Sequence, residues 1–179
     1  IAGGQSLVPM MNFRLATPEA LADLRRVEAL RSLRRTEGGR LAVGAGVRQA
    51  DVLRAGDVVR GWPLIAAGIR HIGHPQIRSR GTVCGSLVHH DPTAELPALA
   101  VALDAQLTIG SVAGRRVLDA ADFFVSYYEV ALEPGEMLLE ASFAPLPADA
   151  GWSFREISRT RGDFALVGAT CVIQADPDG

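Results

Sequence analysis

The stretch Arg80-Gly81-Thr82-Val83-Cys84-Gly85-Ser86-Leu87 places two glycines, two hydroxyl side chains and a small thiol within eight consecutive residues. Glycine lets backbone N–H groups approach a ligand closely, and several N–H groups pointing together suit a phosphate. Asp91 and Pro92 follow at the predicted start of a helix, where a phosphate or ribose would meet free N–H groups and a favourable dipole. This segment therefore predicts a ligand-binding loop, with an ordinary turn as the alternative.

A second segment of the same character, Ala2-Gly3-Gly4-Gln5-Ser6-Leu7, lies at the beginning of the sequence. It lacks the G-x-G-x-x-G spacing of dinucleotide-binding folds. Val8 stands where the G-x-S-x-G pattern of lipases needs its last glycine. Two separate loops rich in glycine and hydroxyl groups suggest a single diphosphate held from two sides, against two unrelated turns.

Composition restricts the class of protein. The chain has 179 residues, of which 48% are hydrophobic and 21% charged, and this balance excludes a disordered chain. A formal net charge of -2 argues against a nucleic-acid partner, since binding to a polyanion needs clustered positive charge. Charges interrupt every apolar run well before the roughly 18 residues of a membrane span, and no signal peptide is recognisable. We therefore expect a cytoplasmic protein without a membrane span.

The pattern of apolar residues and turn residues predicts short elements of both kinds. Thr17, Pro18 and Glu19 form a helix-start signal, and periodicity extends that helix to Leu30. A mixture of short strands and scattered helices favours an α+β fold over a regular alternation of strand and helix. Further helices are predicted at 49–55, 62–72 and 94–103; strands at 41–47, 106–112, 116–118, 137–143 and 154–158; a buried strand at 165–173; and a loop at 75–86.

The histidines and cysteines do not form a recognisable catalytic or metal-binding pattern. The four histidines occur as two pairs, 71 with 74 and 89 with 90, and their spacing from Cys84 and Asp91 matches no zinc motif. A nucleophilic Cys84 with a histidine base is possible by residue type. Its place among small residues is better explained by close packing near a ligand. The sequence therefore predicts no metal site and no catalytic acid–base pair.

Both ends of the sequence suggest a piece of a longer protein. Ile1 leads directly into paired glycines, where a strand normally precedes such a turn. At the other end, the strand at 165–173 is followed by the turn-like residues 176–179.

Taken together, seven segments resemble one known family in the right order along the chain. That family comprises the flavoprotein (medium) subunits of molybdenum hydroxylases, as in carbon monoxide dehydrogenase and xanthine dehydrogenase. The resemblance is carried by residues 1–9, 71–78, 81–86, 91–98, 122–124, 132–136 and 161–165.

The resemblance implies a two-part FAD-binding domain of the vanillyl-alcohol oxidase and murein reductase type. Its antiparallel sheet would be flanked by helices, and its N-terminal subdomain would be truncated here. Residues 1–23 would be the remnant of that α/β subdomain, 24–146 the main FAD-binding subdomain and 147–179 the truncated start of a C-terminal domain. The family pattern also implies a short helix at 20–24 that merges into a strand, in place of the long helix.

The resemblance also implies which residues hold FAD. Pyrophosphate would lie between the two loops, Ile72 near the adenine, Glu95 in hydrogen-bonding contact with the cofactor, and Leu138 and Arg155 near the flavin. Cys84 stands where relatives often have glycine, so its side chain is expected close to the ligand. The full implied set is Ile1, Ala2, Gly3, Gly4, Gln5, Ser6, Leu7, Ile72, Thr82, Val83, Cys84, Gly85, Ser86, Asp91, Glu95, Leu138 and Arg155.

In such enzymes FAD would be bound non-covalently and would accept electrons from 2Fe–2S clusters on a small subunit. Substrate would be oxidised at a molybdopterin cofactor on a large subunit, and the flavin would reduce an external acceptor. The flavin carries that chemistry, and the protein supplies binding and orientation. Two alternatives remain open from the sequence: a stand-alone flavin oxidoreductase of the same superfamily, and a nucleotide-binding module without turnover.

Overall fold

A computed structural model describes residues 1–174 of the chain. The turn-like residues 176–179 lie outside that range. Within it, the helices are α1 (Leu7–Asn12), α2 (Gln49–Arg54), α3 (Gly56–Gly61), α4 (Pro63–Ile69), α5 (Pro75–Arg78), α6 (Val83–His89), α7 (Glu95–Ala102) and α8 (Ala120–Phe123). The strands are β1 (Leu33–Arg35), β2 (Leu41–Gly44), β3 (Gln106–Ser111), β4 (Gly114–Asp119), β5 (Phe124–Ser126), β6 (Glu129–Val130), β7 (Met137–Phe143), β8 (Gly151–Ser158) and β9 (Ala165–Ile173).

A five-stranded sheet in the order β1-β2-β7-β3-β4 forms the centre of the fold, and each of its pairings is antiparallel. Strand β7 lies in the middle, where Val43 pairs with Ala141 on one side and Leu107 pairs with the same Ala141 on the other. Helices pack on the sheet and bury its apolar face. The α+β class and the antiparallel sheet flanked by helices are therefore confirmed.

Helices α4 and α7 pack against each other and form a core layer, and α6 lies between α7 and strands β2 and β7 of the sheet. Leu64, Ile65 and Ile69 of α4 are buried, as are Leu96 and Leu99 of α7. Burial of one such side chain contributes about 1.5–3 kcal/mol. The predicted helix at 94–103 is close to the observed α7, in which Leu96, Pro97, Leu99 and Ala100 are buried and Val101 is exposed.

The long helix predicted from Thr17 to Leu30 is wrong, and so is the short helix at 20–24. Residues Leu24–Arg26 and Glu28–Leu30 form two single turns of 3-10 helix. The amino group of Ile1 donates to the carbonyl of Ala22, and the N–H of Leu24 donates to the carbonyl of Ile1 at 3.0 Å. This pairing with the beginning of the chain takes backbone groups that a helix would need.

The loop predicted at 75–86 is also wrong, since it contains α5 and the first half of α6. Pro75 occupies the first turn of α5, a position where its missing N–H costs nothing. Thr82 caps α6 by accepting a hydrogen bond from the N–H of Gly85 at 3.1 Å. Local capping thus gives helical structure to a sequence whose glycines favour a loop.

Strands β8 and β9 form a separate antiparallel pair, which we call the hairpin. The prediction of a strand at 165–173 is correct, but the prediction that it is buried is wrong. Leu166 is 64% exposed and Val167 57% exposed, because a two-stranded sheet leaves one face open in the described range.

A glycine in β2 allows the close approach of the 3-10 turn before β1. A Cβ on Gly44 would overlap the carbonyl oxygen of Leu30, which is backbone and cannot rotate away. We expect Gly44→Ala to lower the free energy of unfolding by about 1–3 kcal/mol, as overpacking does. Gly61→Ala is the matched control, because a Cβ there meets nothing within 4 Å. Gly61→Ala should leave the free energy of unfolding unchanged or raise it by up to about 1 kcal/mol. Urea titration measures both variants. Equal free energies of unfolding for the two would contradict the close contact at Gly44.

Candidate functional site

The first loop, residues 1–7, lies directly on the second. A Cβ built on Gly3 would be 2.5 Å from the carbonyl oxygen of Arg80 and 2.7 Å from the Cα of Gly81. Gly4 has a φ of +73°, a conformation that favours glycine. The paired glycines are therefore needed for two separate reasons: close contact at Gly3 and backbone conformation at Gly4.

Backbone donors of the first loop remain free in the described structure. Val8 and Met10 donate to the carbonyls of Gly4 and Ser6, which begins the α1 hydrogen-bonding pattern. Among residues 1–174, no protein acceptor receives the N–H groups of residues 3–6. The side chain of Gln5 folds back and donates to the carbonyl of Gly3 at 3.3 Å. The loop thus presents a row of unused N–H donors, the arrangement that binds an anionic oxygen.

The second loop is held in place by the segment after β2. The N–H of Gln49 donates to the carbonyl of Gly81 at 2.9 Å, and the N–H of Val83 donates to the carbonyl of Val47 at 3.2 Å. Thr82 bridges to Arg48 as an isolated antiparallel pair. The second loop is therefore fixed to the segment that follows β2, and Ala2 and Thr82 line one small pocket with Arg48.

Cys84 does not point toward a ligand between the loops. Its side chain is 2% exposed, and its Sγ donates to the carbonyl of Val43 at 3.4 Å. Burial raises the pKa of this thiol to about 12, so it stays protonated at neutral pH. The expectation that the Cys84 side chain crowds the ligand is therefore wrong. The chain's other cysteine, Cys171, is exposed on β9.

Asp91 organises the segment between α6 and α7. Its Oδ1 accepts hydrogen bonds from the N–H of Thr93 at 2.8 Å and from the Thr93 hydroxyl at 2.6 Å. Its Oδ2 accepts a hydrogen bond from the hydroxyl of Tyr128 at 3.1 Å. Partial burial alone would raise the pKa of Asp91, but these three hydrogen bonds outweigh it and hold the pKa below the ordinary value. The carboxylate is thus ionised and committed to positioning this segment.

Glu95 stands at the first position of α7, beside a second carboxyl group. Burial raises its pKa to about 7, and the nearby carboxylate of Glu156 contributes to that increase. The side chain of Glu156 is 2% exposed, and its Oε1 lies 3.7 Å from Nδ1 of His71. Two carboxyl groups and an imidazole therefore meet where the hairpin reaches α7.

The remaining expected residues occupy three different environments. Ile72 is half-buried after α4, and its carbonyl accepts a hydrogen bond from Nη1 of Arg78 at 2.7 Å. Leu138 is 2% exposed, so its side chain belongs to the core. Arg155 is exposed on β8, on the face opposite Glu156 because side chains alternate along a strand. The structure thus brings the two loops together and places Glu95 beside the hairpin, whereas the Leu138 side chain lies in the core and the Arg155 side chain is exposed on β8.

Sequence reasoning missed Glu156 and His71. Residues 154, 156 and 158 alternate on the inner face of β8, a signal present in the sequence. Which face meets α7 is decided only by the fold.

In the described part of the chain no three potential metal ligands among histidine, cysteine, aspartate and glutamate come together. Within the same part, no helix has the length and apolar character needed to cross a bilayer.

Residues 1–146 match the family model described as "FAD binding domain in molybdopterin dehydrogenase". The chain therefore belongs to this family of flavoprotein domains. The first loop offers free N–H groups, and it contacts the second loop through glycine, with no side chain between them. Both features suit the binding of a diphosphate cofactor.

Individual relatives agree with this assignment. The chain is 40% identical over 179 residues to the alpha subunit of the 6-hydroxypseudooxynicotine dehydrogenase complex of Paenarthrobacter nicotinovorans, covering 100% of this chain and 60% of that one. It is 35% identical over 174 residues to the carbon monoxide dehydrogenase medium chain of Hydrogenophaga pseudoflava, covering 97% and 60% of the two chains.

Solved structures show the same similarity. Carbon monoxide dehydrogenase of Hydrogenophaga pseudoflava, lacking the Mo-pyranopterin moiety, superimposes with a TM-score of 0.94 at 36% identity, covering 98% of this chain and 61% of that one. Quinoline 2-oxidoreductase of Pseudomonas putida 86 gives a TM-score of 0.92 at 40% identity, with the same coverage. The chain spans about three fifths of the length of these relatives.

The raised pKa of Glu95 makes a testable contribution to stability. Its folded-state pKa of about 7 lies above the unfolded value of 4.5, so the folded state holds the proton more tightly and loses stability as pH rises between those values. We expect Glu95→Gln to match the FAD-free wild type near pH 4 and to exceed its free energy of unfolding by roughly 1–3 kcal/mol at pH 8. Glu37→Gln, at an exposed turn, should keep the wild-type dependence. If the difference in free energy of unfolding between wild type and Glu95→Gln is the same at both pH values, the pKa of Glu95 is not raised in the folded protein.

Proposed function

We propose that this chain is the FAD-binding part of a molybdenum-containing dehydrogenase and carries electrons from 2Fe–2S clusters to an external acceptor. When bound, FAD supplies the redox chemistry. The observation that carries the proposal is the contact of Gly3 with the backbone of Arg80 and Gly81, which joins two donor-bearing loops into one cradle. Curated relatives with matching sequences are subunits of dehydrogenase complexes, which supports the same conclusion.

The roles of the individual residues follow from their surroundings. The free N–H groups of residues 3–6 would hold the pyrophosphate, and the backbone of residues 82–86 would close the cradle from the other side. Asp91 is held in place by Thr93 and Tyr128, so it would orient its own segment and present no proton. Glu95 would accept or donate a hydrogen bond depending on its protonation. None of these side chains needs to act as a catalytic acid or base.

The partners and location belong to the same proposal. The complete protein would assemble with a large subunit that carries the molybdopterin cofactor and a small subunit that carries the 2Fe–2S clusters, and it would reside in the cytoplasm. We also propose the domain division at 1–23, 24–146 and 147–179. The family model ends at residue 146 and the hairpin begins at Gly151, which supports the second boundary.

The cradle is tested by adding a side chain at the contact between the loops. Gly3→Val should raise the Kd for FAD at least tenfold, about 1.4 kcal/mol, because its side chain must push the second loop away. Gly38→Val is the control, since a Cβ there approaches only the Thr36 hydroxyl at 3.9 Å. Titration of the FAD-free protein, followed by flavin fluorescence, measures both. Equal Kd values for Gly3→Val and Gly38→Val would show that the first loop is not part of the FAD site.

The redox role and the mode of attachment are tested on the yellow holoprotein. Dithionite should bleach the flavin band and a dye acceptor should restore it, whereas a module that binds a nucleotide other than a flavin would show no such band. Acid denaturation should then release all the colour into the supernatant, because the buried thiol of Cys84 faces the core and cannot form a flavin link. Colour that stays with the precipitated protein would contradict non-covalent binding.

A further inference from the structure

Four arginines converge on the small pocket at the junction of the two loops. Ala2 of the first loop and Thr82 of the second loop line this pocket, together with Arg25, Arg31, Arg48 and Arg80. Within the described range, none of the residues that line it is acidic. The chain as a whole has a formal net charge of -2, so this local excess of positive charge contrasts with the rest of the sequence.

Only one of the four guanidinium groups has an acidic partner in the part of the chain that the structure describes. Arg25 forms an ion pair with Asp23, with 2.8 Å between Nη2 and Oδ2. The side chains of Arg31, Arg48 and Arg80 form no ion pair within residues 1–174. A concave surface lined by charges of one sign raises the local concentration of counter-ions. The pocket therefore favours an anion.

The three arginines without an ion pair reach the pocket from three separate segments. Arg31 follows the 3-10 turn before β1, and Gly46 leaves room for its stem, because a Cβ on Gly46 would be 3.2 Å from the Cγ of Arg31. Arg48 follows β2 and pairs with Thr82 as an isolated bridge. Arg80 follows α5 and contacts the first loop through its carbonyl oxygen. The fold therefore sets the points from which the three side chains extend.

A buried hydroxyl adds a neutral donor beside these charges. Thr82 is 5% exposed, and its Oγ1 accepts a hydrogen bond from the N–H of Gly85 at 3.1 Å. A threonine hydroxyl can donate one hydrogen bond while it accepts others, and among residues 1–174 no acceptor receives the Thr82 proton. The free N–H groups of residues 3–6 follow Ala2 directly in the first loop. Guanidinium, hydroxyl and backbone N–H donors together are suited to phosphate oxygens.

We propose that Arg31, Arg48 and Arg80, together with Thr82, form a phosphate-binding site at the junction of the two loops. Arginine presents several N–H donors in a planar fork that matches two oxygens of one phosphate. Because the pocket is small, it takes a phosphate group and leaves the rest of the ligand outside. That phosphate belongs to the pyrophosphate of FAD, in which case the inference rests on the proposed function, or to a separate phosphate compound bound beside the cradle.

Inorganic pyrophosphate tests the site without the flavin. At millimolar concentration it should raise the melting temperature of the complete, FAD-free protein by about 2–4 °C more than sodium chloride of equal ionic strength does. The double variant Arg31→Gln/Arg48→Gln should lose this shift, because it removes two of the three guanidinium groups without an ion pair. Each single variant should reduce the shift, which keeps the test available if the double variant fails to fold.

Titration with FAD identifies the source of the phosphate. If the double variant raises the Kd for FAD about threefold to tenfold, and FAD-saturated wild type no longer responds to pyrophosphate, the site holds the phosphates of the cofactor. If the Kd for FAD is unchanged and the pyrophosphate shift persists in the FAD-saturated wild type, the site holds a separate phosphate compound. Both results support a phosphate-binding site.

The matched control is Arg60→Gln/Arg115→Gln, which removes the same charge at two exposed arginines of α3 and β4. It should leave the binding of both ligands unchanged. The inference is overturned if Arg31→Gln/Arg48→Gln binds FAD and pyrophosphate as the wild type does, or if the control causes the same losses. Gly3→Val is the reference for the proposed function. If it weakens FAD binding and the arginine variant weakens neither ligand, only this inference fails; if neither variant weakens FAD binding, the cradle fails as well.

Discussion

No side chain fits between the two loops, because Gly3 rests against the backbone of Arg80 and Gly81. That contact holds the free N–H groups of the first loop close to the capped start of α6. Both sides are anchored independently: the first loop through the pairing of Ile1 with Ala22 and Leu24, and the second through Val47 and Gln49. A backbone cradle binds tightly only when its geometry is fixed before the ligand arrives. The rest of the domain can be understood as the support for this single contact.

The antiparallel sheet and its helices give that support its rigidity. Strand β2 carries Gly44 against the turn at Leu30 and leads into the segment that holds the second loop. Helix α7 rests on the core through Leu96 and Leu99, and Glu95 is its first residue. The same short elements thus pack in the core and position the residues of the cofactor site. A change in the core layer would be transmitted to the site through α7.

Much of this arrangement was predictable from the sequence. Paired glycines and hydroxyl residues identified both loops, and apolar continuity identified α7 and β7. The helix at 17–30 failed because Ala22 and Leu24 hydrogen-bond to Ile1, a tertiary pairing that periodicity does not contain. Glu156 was missed for a related reason. Alternation along β8 shows that two faces exist, but only the packed fold decides that the face with Glu156 meets α7.

The contrasting cysteines make the hairpin accessible to selective chemistry. Cys84 is sealed in the core with its thiol protonated, whereas Cys171 is exposed next to Thr170 on the outer face of β9. A maleimide dye added to the native protein would therefore attach at one place, on the hairpin, without mutagenesis. Its fluorescence would be quenched by energy transfer to a bound flavin according to their separation. The wild-type chain thus carries its own reporter of how closely the hairpin approaches the cofactor.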